Sequence, residues 1–461
     1  MAKITSRYFC KECGYETAKW LGQCPACKAW NTFVEEPVAK AAGSSAASGK
    51  KPIRQQRTRP VKIDEIKLIE EDRMDTGFRE LNRVLGGGIV VGSLILLGGD
   101  PGIGKSTILL EVARNLAAEA SKSVLYVSGE ESLKQIKMRA MRIADISGDL
   151  RFMTETNVEN IVETITETQP DLVVIDSIQT MYTESVTAAP GSVSQVRESA
   201  AQFLRAAKEN GIAIVLVGHV TKDGAVAGPK VLEHMVDAVL YFEGEAGGNL
   251  RILHGQKNRF GSTNEIAVFE MNADGLREVR NPSEMLLSGR PENASGSVVT
   301  CGMEGTRPLL IEIQGLVAPT SFNYPRRTAN GVDYNRLNLL TAIVERRLGI
   351  DLSKYDAYVN IAGGLKISEP STDLAIVMAL ISSWRNIPVP DDVMIFGEVG
   401  LSGEVRAVSS AEQRMEEAAR LGFHKIVMPY YHKDRIQFHE NPDVEIIPVK
   451  NIREALTILK K

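Results

Sequence analysis

Eight residues, Gly99-Asp100-Pro101-Gly102-Ile103-Gly104-Lys105-Ser106, meet the pattern G-x4-G-K-[ST], which names a phosphate-binding loop. In that pattern glycines let backbone N–H groups converge on phosphate oxygens, the lysine reaches the β/γ-phosphates and the hydroxyl holds Mg2+. Lys105 and Ser106 take those two roles, and Gly99 through Thr107 form the candidate ATP site. A glycine-rich turn without chemistry would not need every fixed position filled. The apolar run 172–175 ends in Asp176, a Walker B element whose carboxylate can share the Mg2+ with Ser106. Glu130 and Glu131 follow the apolar run 123–127, at the same edge of a parallel sheet. Either can orient an attacking water, and either can equally be an acidic helix start. His219 follows the apolar run 212–217, where it can sense a γ-phosphate or simply end a strand.

The elements that must hold these groups are legible as patterns. Residues 94–97 read as a buried strand before the phosphate loop and 108–116 as the helix behind it. Strands at 123–127, 172–175, 212–217 and 250–254, with helices at 133–143 and 158–168, complete an α/β core with a parallel sheet. Two stretches, 182–193 and 222–230, read as exposed, flexible loops projecting from that sheet, and Arg197, Lys222 and Lys230 are candidate DNA-phosphate contacts. Lys257-Asn258-Arg259-Phe260-Gly261 places two cations just beyond the 250–254 strand; a solvated turn, DNA and a neighbouring subunit's nucleotide are all open readings.

Cys10-x2-Cys13 and Cys24-x2-Cys27 form two knuckles that together supply a closed tetrahedral sulfur set, as in structural zinc sites. Iron suits the same set, and a redox dithiol is the alternative, though one knuckle would serve that purpose. Tyr8, Phe9, Tyr15, Trp20, Trp30 and Phe33 are expected to form a small core dependent on the metal.

Across 461 residues the net charge is −4, yet residues 1–62 hold twelve Lys/Arg against four Asp/Glu. That asymmetry marks a basic arm on an acidic body and argues against a uniformly basic nucleic-acid coat. Residues 35–62 read as a basic flexible linker, separating a four-cysteine finger at 1–34 from a globular region that begins at about 63. No signal-like or membrane-length apolar stretch is present, so the expectation is a cytoplasmic protein without a membrane partner.

The finger, Thr76-Gly77-Phe78-Arg79-Glu80-Leu81, Leu85-Gly86-Gly87-Gly88, the phosphate loop, Asp176 and the KNRFG run at 257–261 together resemble the RadA (Sms) family of bacterial DNA repair proteins, over essentially the whole chain. The resemblance implies an α/β fold: a RecA-like P-loop ATPase core at 63–281, with an N-terminal zinc ribbon and a C-terminal Lon-protease-like α/β domain at 282–461. It implies a DNA-dependent ATPase of homologous recombination, using ATP/ADP, Mg2+ and Zn2+. It also implies a homo-oligomeric ring, expected to be a hexamer, that binds single-stranded and branched DNA and promotes branch migration with the RecA recombinase. By the same resemblance Glu130 is the catalytic carboxylate beside Lys105 and Asp176, and Lys257 and Arg259 act across a subunit interface. The loops after Asp176 and His219 then correspond to DNA-binding loops.

The C-terminal part looks like the proteolytic domain of Lon enzymes through Glu369-Pro370-Ser371-Thr372-Asp373, the run 396–404 and Ile426-Val427-Met428-Pro429. Lon enzymes use a Ser–Lys dyad, and Ser371 falls at the nucleophile position while Arg414 stands where the lysine belongs. Arginine stays charged in proteins and cannot accept the serine proton. Asp373 also replaces the small glycine two residues after the nucleophile. The expectation is a domain without peptidase activity; an ATP-dependent protease and a nucleotide-switched scaffold are the alternative functions.

Overall fold

A computed structural model of the chain describes residues 5–11, 14–38, 72–119, 121–143, 147–219, 229–244, 250–322, 324–364, 366–367, 369–433, 435–436 and 444–459. Cys13, Lys222 and the expected linker beyond residue 38 lie outside these residues. The chain divides into two compact units, one of Met1–Glu243, Arg251–Thr263 and Met271–Glu278, the other of Gly244–Leu250, Asn264–Glu270 and Val279–Lys461.

The first unit opens with a three-stranded antiparallel ribbon, β1 (Thr5–Cys10), β2 (Glu16–Thr17) and β3 (Phe33–Val38), in the order β2-β1-β3. A short pair, β4 (Arg73–Met74) and β5 (Ile89–Val90), brackets helix α1 (Arg79–Leu85) and leads into the main sheet. In chain order that sheet and its helices are β6 (Leu94–Gly99), α2 (Lys105–Ala118), β7 (Ser123–Ser128), α3 (Leu133–Ile143), β8 (Asp149–Thr154), α4 (Val158–Thr168), β9 (Leu172–Asp176), α5 (Val193–Asn210) and β10 (Ala213–His219). Strands β11 (Ala238–Glu243), β12 (Leu250–Asn258), β13 (Ile266–Asn272) and β14 (Gly275–Glu278) extend one edge, with β11 and β12 antiparallel to each other. The spatial order is β14-β13-β12-β11-β6-β10-β9-β7-β8, with parallel pairing from β11 to β8.

Leu, Ile and Val fill β6, β9 and β10 because these strands are covered on both faces, as parallel strands flanked by helices must be. Their C-terminal ends therefore share one edge, where Gly99, Ser128, Asp176 and His219 come together. Two expectations change. Strand β12 does not stop near residue 254: its ladder to β11 continues past an irregularity at Val239/Leu240, so Lys257 and Asn258 lie on the strand, not beyond it. Nor is the 182–193 loop simply exposed. Thr183 and Ala188 are buried, and Gln195 Nε2 donates to the carbonyls of Thr183 (3.2 Å), Val186 (2.8 Å) and Ala188 (2.9 Å), which packs the loop onto the start of α5.

The second unit is built on a seven-stranded sheet, β15 (Ser297–Glu304), β16 (Arg307–Pro319), β17 (Arg327–Asn330), β18 (Tyr355–Ile361), β19 (Val393–Ile395), β20 (Lys425–Pro429) and β21 (Glu445–Val449), ordered β17-β18-β16-β15-β19-β20-β21. Its helices include α6 (Tyr334–Leu348), α7 (Asp373–Arg385) and α8 (Ala411–Arg420). Every residue of α7 from Asp373 to Ser382 is buried, as expected of a helix apolar on all sides.

Candidate functional site

The phosphate loop joins β6 to α2, and its glycines are required by geometry. Gly99 has φ 150°, and a Cβ there would stand 2.5 Å from the Phe242 carbonyl oxygen. Gly104 has φ 116°, and a Cβ there would meet Met271 Cε at 2.7 Å. No side chain caps the N-terminus of α2, so its amides and dipole remain directed at the loop concavity. Lys105 is buried, and its Nζ donates to the carbonyls of Gly99 and Asp100, both at 2.8 Å. Burial draws its pKa down to about 8, opposed by the charges of Asp176, Asp100 and Glu130. Arg251 Nε braces the loop through the Ile103 carbonyl at 3.1 Å.

Asp176 is buried and accepts a 2.7 Å hydrogen bond from Tyr126 Oη on Oδ2, which fixes the carboxylate plane and leaves Oδ1 without a partner among the described residues. A hard cation needs oxygen ligands of this kind, so Ser106 and Asp176 fit the expected Mg2+ pair. Glu130 and Glu131, alike in residue type and position at the sheet edge, have different partners here. Glu131 is ion-paired to Arg139 on α3. Glu130 instead faces the site, accepting from Ser177 Oγ at 2.5 Å with His219 Nε2 3.4 Å away. His219, against the opposing effect of partial burial and helped by Ser177, holds the Glu130 carboxyl down at about 2. Neither ring nitrogen of His219 has a hydrogen-bond partner among the described residues, whereas its backbone carbonyl accepts from Gln179 Nε2 at 3.2 Å. Tyr126, Ser177, Gln179 and Arg251 escaped the sequence reading; only Ser177 had a signal, its place next to Asp176.

The KNRFG residues lie elsewhere. Lys257 Nζ donates to the carbonyls of Glu233 (2.7 Å) and Val236 (2.8 Å). Arg259 Nη1 reaches Asp237 Oδ1 at 3.2 Å, and the same carboxylate accepts from Leu94 N and Lys208 Nζ. Asn258 bonds the Val84 carbonyl and the Phe260 amide, and Gly261 passes so close to Gly86 that a Cβ would stand 2.9 Å from its Cα. In register, Asn258 sits opposite Ala238 and Ala238 beside Ile95, at the start of β6, while the phosphate loop leaves from Gly99 at its end. Lys257, opposite Val239 and so level with Leu96, starts the motif about 10 Å along the strands from Gly99, and the motif runs away from its own chain's phosphate loop. Lys257 and Arg259 are engaged there by Glu233, Val236 and Asp237, not by the phosphate loop.

The metal centre assembles in the ribbon. Cys10, Cys24 and Cys27 place their sulfurs within 4.8 Å of one another, and Cys10 Sγ to Cys27 Sγ is 3.6 Å. That is far longer than a disulfide and close to the ~3.8 Å edge of a tetrahedron with metal–sulfur bonds of about 2.3 Å. The two knuckles repeat one geometry: Gly14 N donates to Cys10 O at 2.8 Å and Lys28 N to Cys24 O at 2.9 Å, with Gly14 and Lys28 both at positive φ. The residues fit a structural metal. Tyr15, Trp20 and Trp30, expected in the ribbon core, are instead exposed, because Cys10, Cys24, Phe33 and Tyr8 fill that small centre. Phe9 turns away and joins the core of the first unit with Val193 and Val231, while Arg197 Nη1 lies 3.4 Å from the Gly14 carbonyl oxygen. Lys230 is exposed on a single turn, Pro229–Val231.

In the second unit Arg414 is fully buried and fills the expected base position. It donates from Nη1 to Ser371 Oγ at 3.1 Å and to Cys301 O, from Nη2 to Glu369, and from Nε to Ser409 O at 3.0 Å. Asp373 is equally buried, paired to Arg336 and accepting from Val399 N at 3.1 Å. The two positions at which the chain departs from the Lon pattern, Asp373 and Arg414, are thus both held in buried ion pairs.

Together the fold and sites define a P-loop AAA/RecA-like α/β core with an N-terminal metal-binding ribbon and a C-terminal ChlI/Lon-like α/β domain. Family models match accordingly: an AAA domain over residues 58–225, a rubredoxin metal-binding domain over 8–35 and the subunit ChlI of Mg-chelatase over 335–432. The chain is 52% identical over 456 residues to the DNA repair protein RadA of Bacillus subtilis (strain 168), covering 99% of both. It is 51% identical over 461 residues to the DNA repair protein RadA of Halalkalibacterium halodurans, again covering 99% of both, and 51% identical over 458 residues to that of Listeria monocytogenes serovar 1/2a, covering 99% of this chain and 98% of the relative. The chain belongs to the DNA repair protein RadA family. Among the described residues no helix is long and apolar enough to cross a membrane.

Proposed function

We propose that this chain is a DNA-dependent ATPase of recombinational repair, in which ATP held by one subunit's phosphate loop is hydrolysed with help from the next subunit's KNRFG motif. The observation that carries the reading is the separation of two half-sites on one chain: a phosphate loop with Lys105, Glu130 and Asp176 at one sheet edge, and Lys257 with Arg259 toward the other. Such an arrangement is completed only by another copy, which makes a ring, expected to be hexameric, the economical assembly. Lys105 stabilises charge on the transferred phosphoryl group, and Mg2+ on Ser106 and Asp176 supplies further charge neutralisation. Glu130, ionised across the physiological range, orients the attacking water. His219 contacts Glu130 and immediately precedes residues 220–230 in the chain, so loss of the γ-phosphate is transmitted to a DNA-contacting loop carrying Lys222 and Lys230, and Arg197 is a further proposed DNA contact. Zn2+ is the proposed metal of the four-cysteine ribbon, and single-stranded and branched DNA with the RecA recombinase are the proposed partners in branch migration.

The test is ATP turnover with and without single-stranded DNA, followed by branch migration on a three-strand intermediate with RecA. DNA should stimulate turnover, and Lys105→Ala and Lys257→Ala should both abolish migration. Turnover indifferent to DNA would instead favour a nucleotide-switched scaffold, and normal migration by Lys105→Ala would exclude ATP as the fuel.

A further inference from the structure

The ribbon exposes two of the chain's three tryptophans, Trp20 at 53% and Trp30 at 69%, with Leu21 between them also exposed. Large indoles exposed on so small an element are not dictated by its fold, whose centre is already filled by Cys10, Cys24 and Phe33. They are held in place all the same. Trp30 bridges Gln23 in antiparallel fashion, Asn31 N donates to Gly22 O at 2.8 Å, and Gln23 Nε2 donates to Lys28 O at 3.0 Å. The six-membered rings of both indoles converge on Gly22: a Cβ there would stand 3.8 Å from Trp20 Cη2 and 3.8 Å from Trp30 Cζ3. A glycine floor thus lies between two solvent-facing indoles, with the Trp30 backbone fixed by its bridge to Gln23.

The segment that carries them is charged with one sign. Residues 18–32 contain Lys19 and Lys28, both exposed, and no Asp or Glu. Aromatic faces beside unopposed lysines are the chemistry of single-stranded nucleic acid, whose unpaired bases stack on aromatics while the phosphates meet cations. A protein partner's apolar patch would not call for the uniform charge. The ribbon also rests on the first unit: Phe9 shares a core with Val193 and Val231, and a Cβ at Gly14 would touch Val231 Cγ1 at 3.3 Å.

We propose that Trp20 and Trp30, flanked by Lys19 and Lys28, form a stacking platform for the unpaired bases of single-stranded DNA. This rests on the DNA-handling function proposed above. The platform makes the ribbon a DNA-reading element whose metal keeps the two indoles in register.

The test uses the full-length protein with Trp384→Phe, which leaves Trp20 and Trp30 as the only indole fluorophores. Titration with oligothymidylate should quench their emission in step with binding followed by anisotropy of a labelled oligonucleotide. In the parent, Trp20→Ala with Trp30→Ala should weaken oligothymidylate binding by about tenfold or more. Duplex affinity, metal content per chain and DNA-free ATP turnover should not change, and Trp20→Phe with Trp30→Phe should restore most of the affinity. Binding seen by anisotropy without quenching, or an unchanged affinity in the double alanine variant, would overturn the platform while leaving DNA binding by the core intact, and would point to a protein occupant. If the parent bound no single-stranded DNA at all, the DNA-handling reading would fail and the platform with it. Should the alanine variant lose its metal, the quenching of the unaltered indoles still decides the matter.

Discussion

Replacing Arg414 with alanine should destabilise the C-terminal unit severely, without touching the ATP site. The guanidinium is fully buried and serves Glu369, Ser371, Cys301 and Ser409, elements scattered along the chain that it draws to one point. With the arginine gone, Glu369, whose side chain is only 22% exposed, keeps one described donor, the Met303 amide at 2.8 Å. Removing one member of a buried ion pair costs about 3–5 kcal/mol, because the remaining charge stays desolvated. A unit of this size shifts its melting midpoint by roughly 2–4 °C per kcal/mol, so the change should be on the order of 10 °C. Equilibrium urea unfolding and calorimetry of the full chain measure it, and Arg414→Met combined with Glu369→Gln should recover most of the loss because no orphaned charge remains. A loss below about 1 kcal/mol for Arg414→Ala would refute the reasoning. The same geometry predicts that Arg414→Lys creates no peptidase: Glu369 would hold the new ammonium in its charged form, leaving Ser371 without a base. Peptide cleavage that depends on Ser371, in either the parent or the lysine variant, would overturn that reading.

Mixing Arg259→Ala chains with Lys105→Ala chains, each expected to be inactive alone, should restore part of the ATP turnover if the two half-sites meet between subunits; no recovery over any ratio counts against a shared site. Glu130→Gln should lower turnover about a hundredfold or more while ATP binding persists, and Glu131→Gln should change it little. Because the Glu130 carboxyl is held down at about 2, it loses its charge only when pH falls toward that value, so turnover, read briefly after a pH jump, should show no Glu130-dependent acid limb as pH passes through about 4.3, the ordinary glutamate value; a fall with its midpoint there would contradict this. Burial pushes the Cys301 thiol up to about 12, so at pH 8 it should resist alkylation in the native chain and react only after unfolding, a difference mass spectrometry reads directly.

Much of this protein was determined by local pattern alone. The phosphate loop, the Walker B aspartate and the cysteine knuckles depend on residues close in sequence, whose spacing already encodes the turn that makes them work. Apolar runs likewise located β6, β7, β9 and β10, since a strand buried on both faces has little freedom in composition. Tertiary structure decided everything that depends on which distant residues meet. It separated Glu130, beside Ser177 and His219, from Glu131, bound to Arg139, because adjacent residues at the end of a strand point in different directions. It extended β12 through Lys257 by pairing it with β11, and so set the KNRFG motif well away from its own chain's nucleotide. It packed the 182–193 loop through one glutamine and made Arg414, which the sequence offered only as an arginine at the position expected of a lysine, the centre of a buried network. In the ribbon, sequence supplied the aromatics and the cysteines, but only the folded knuckles showed that metal-ligand sulfurs and Phe33 leave no room inside for Trp20 and Trp30. Hydrophobicity states a preference for burial; the available interior volume decides which side chains obtain it.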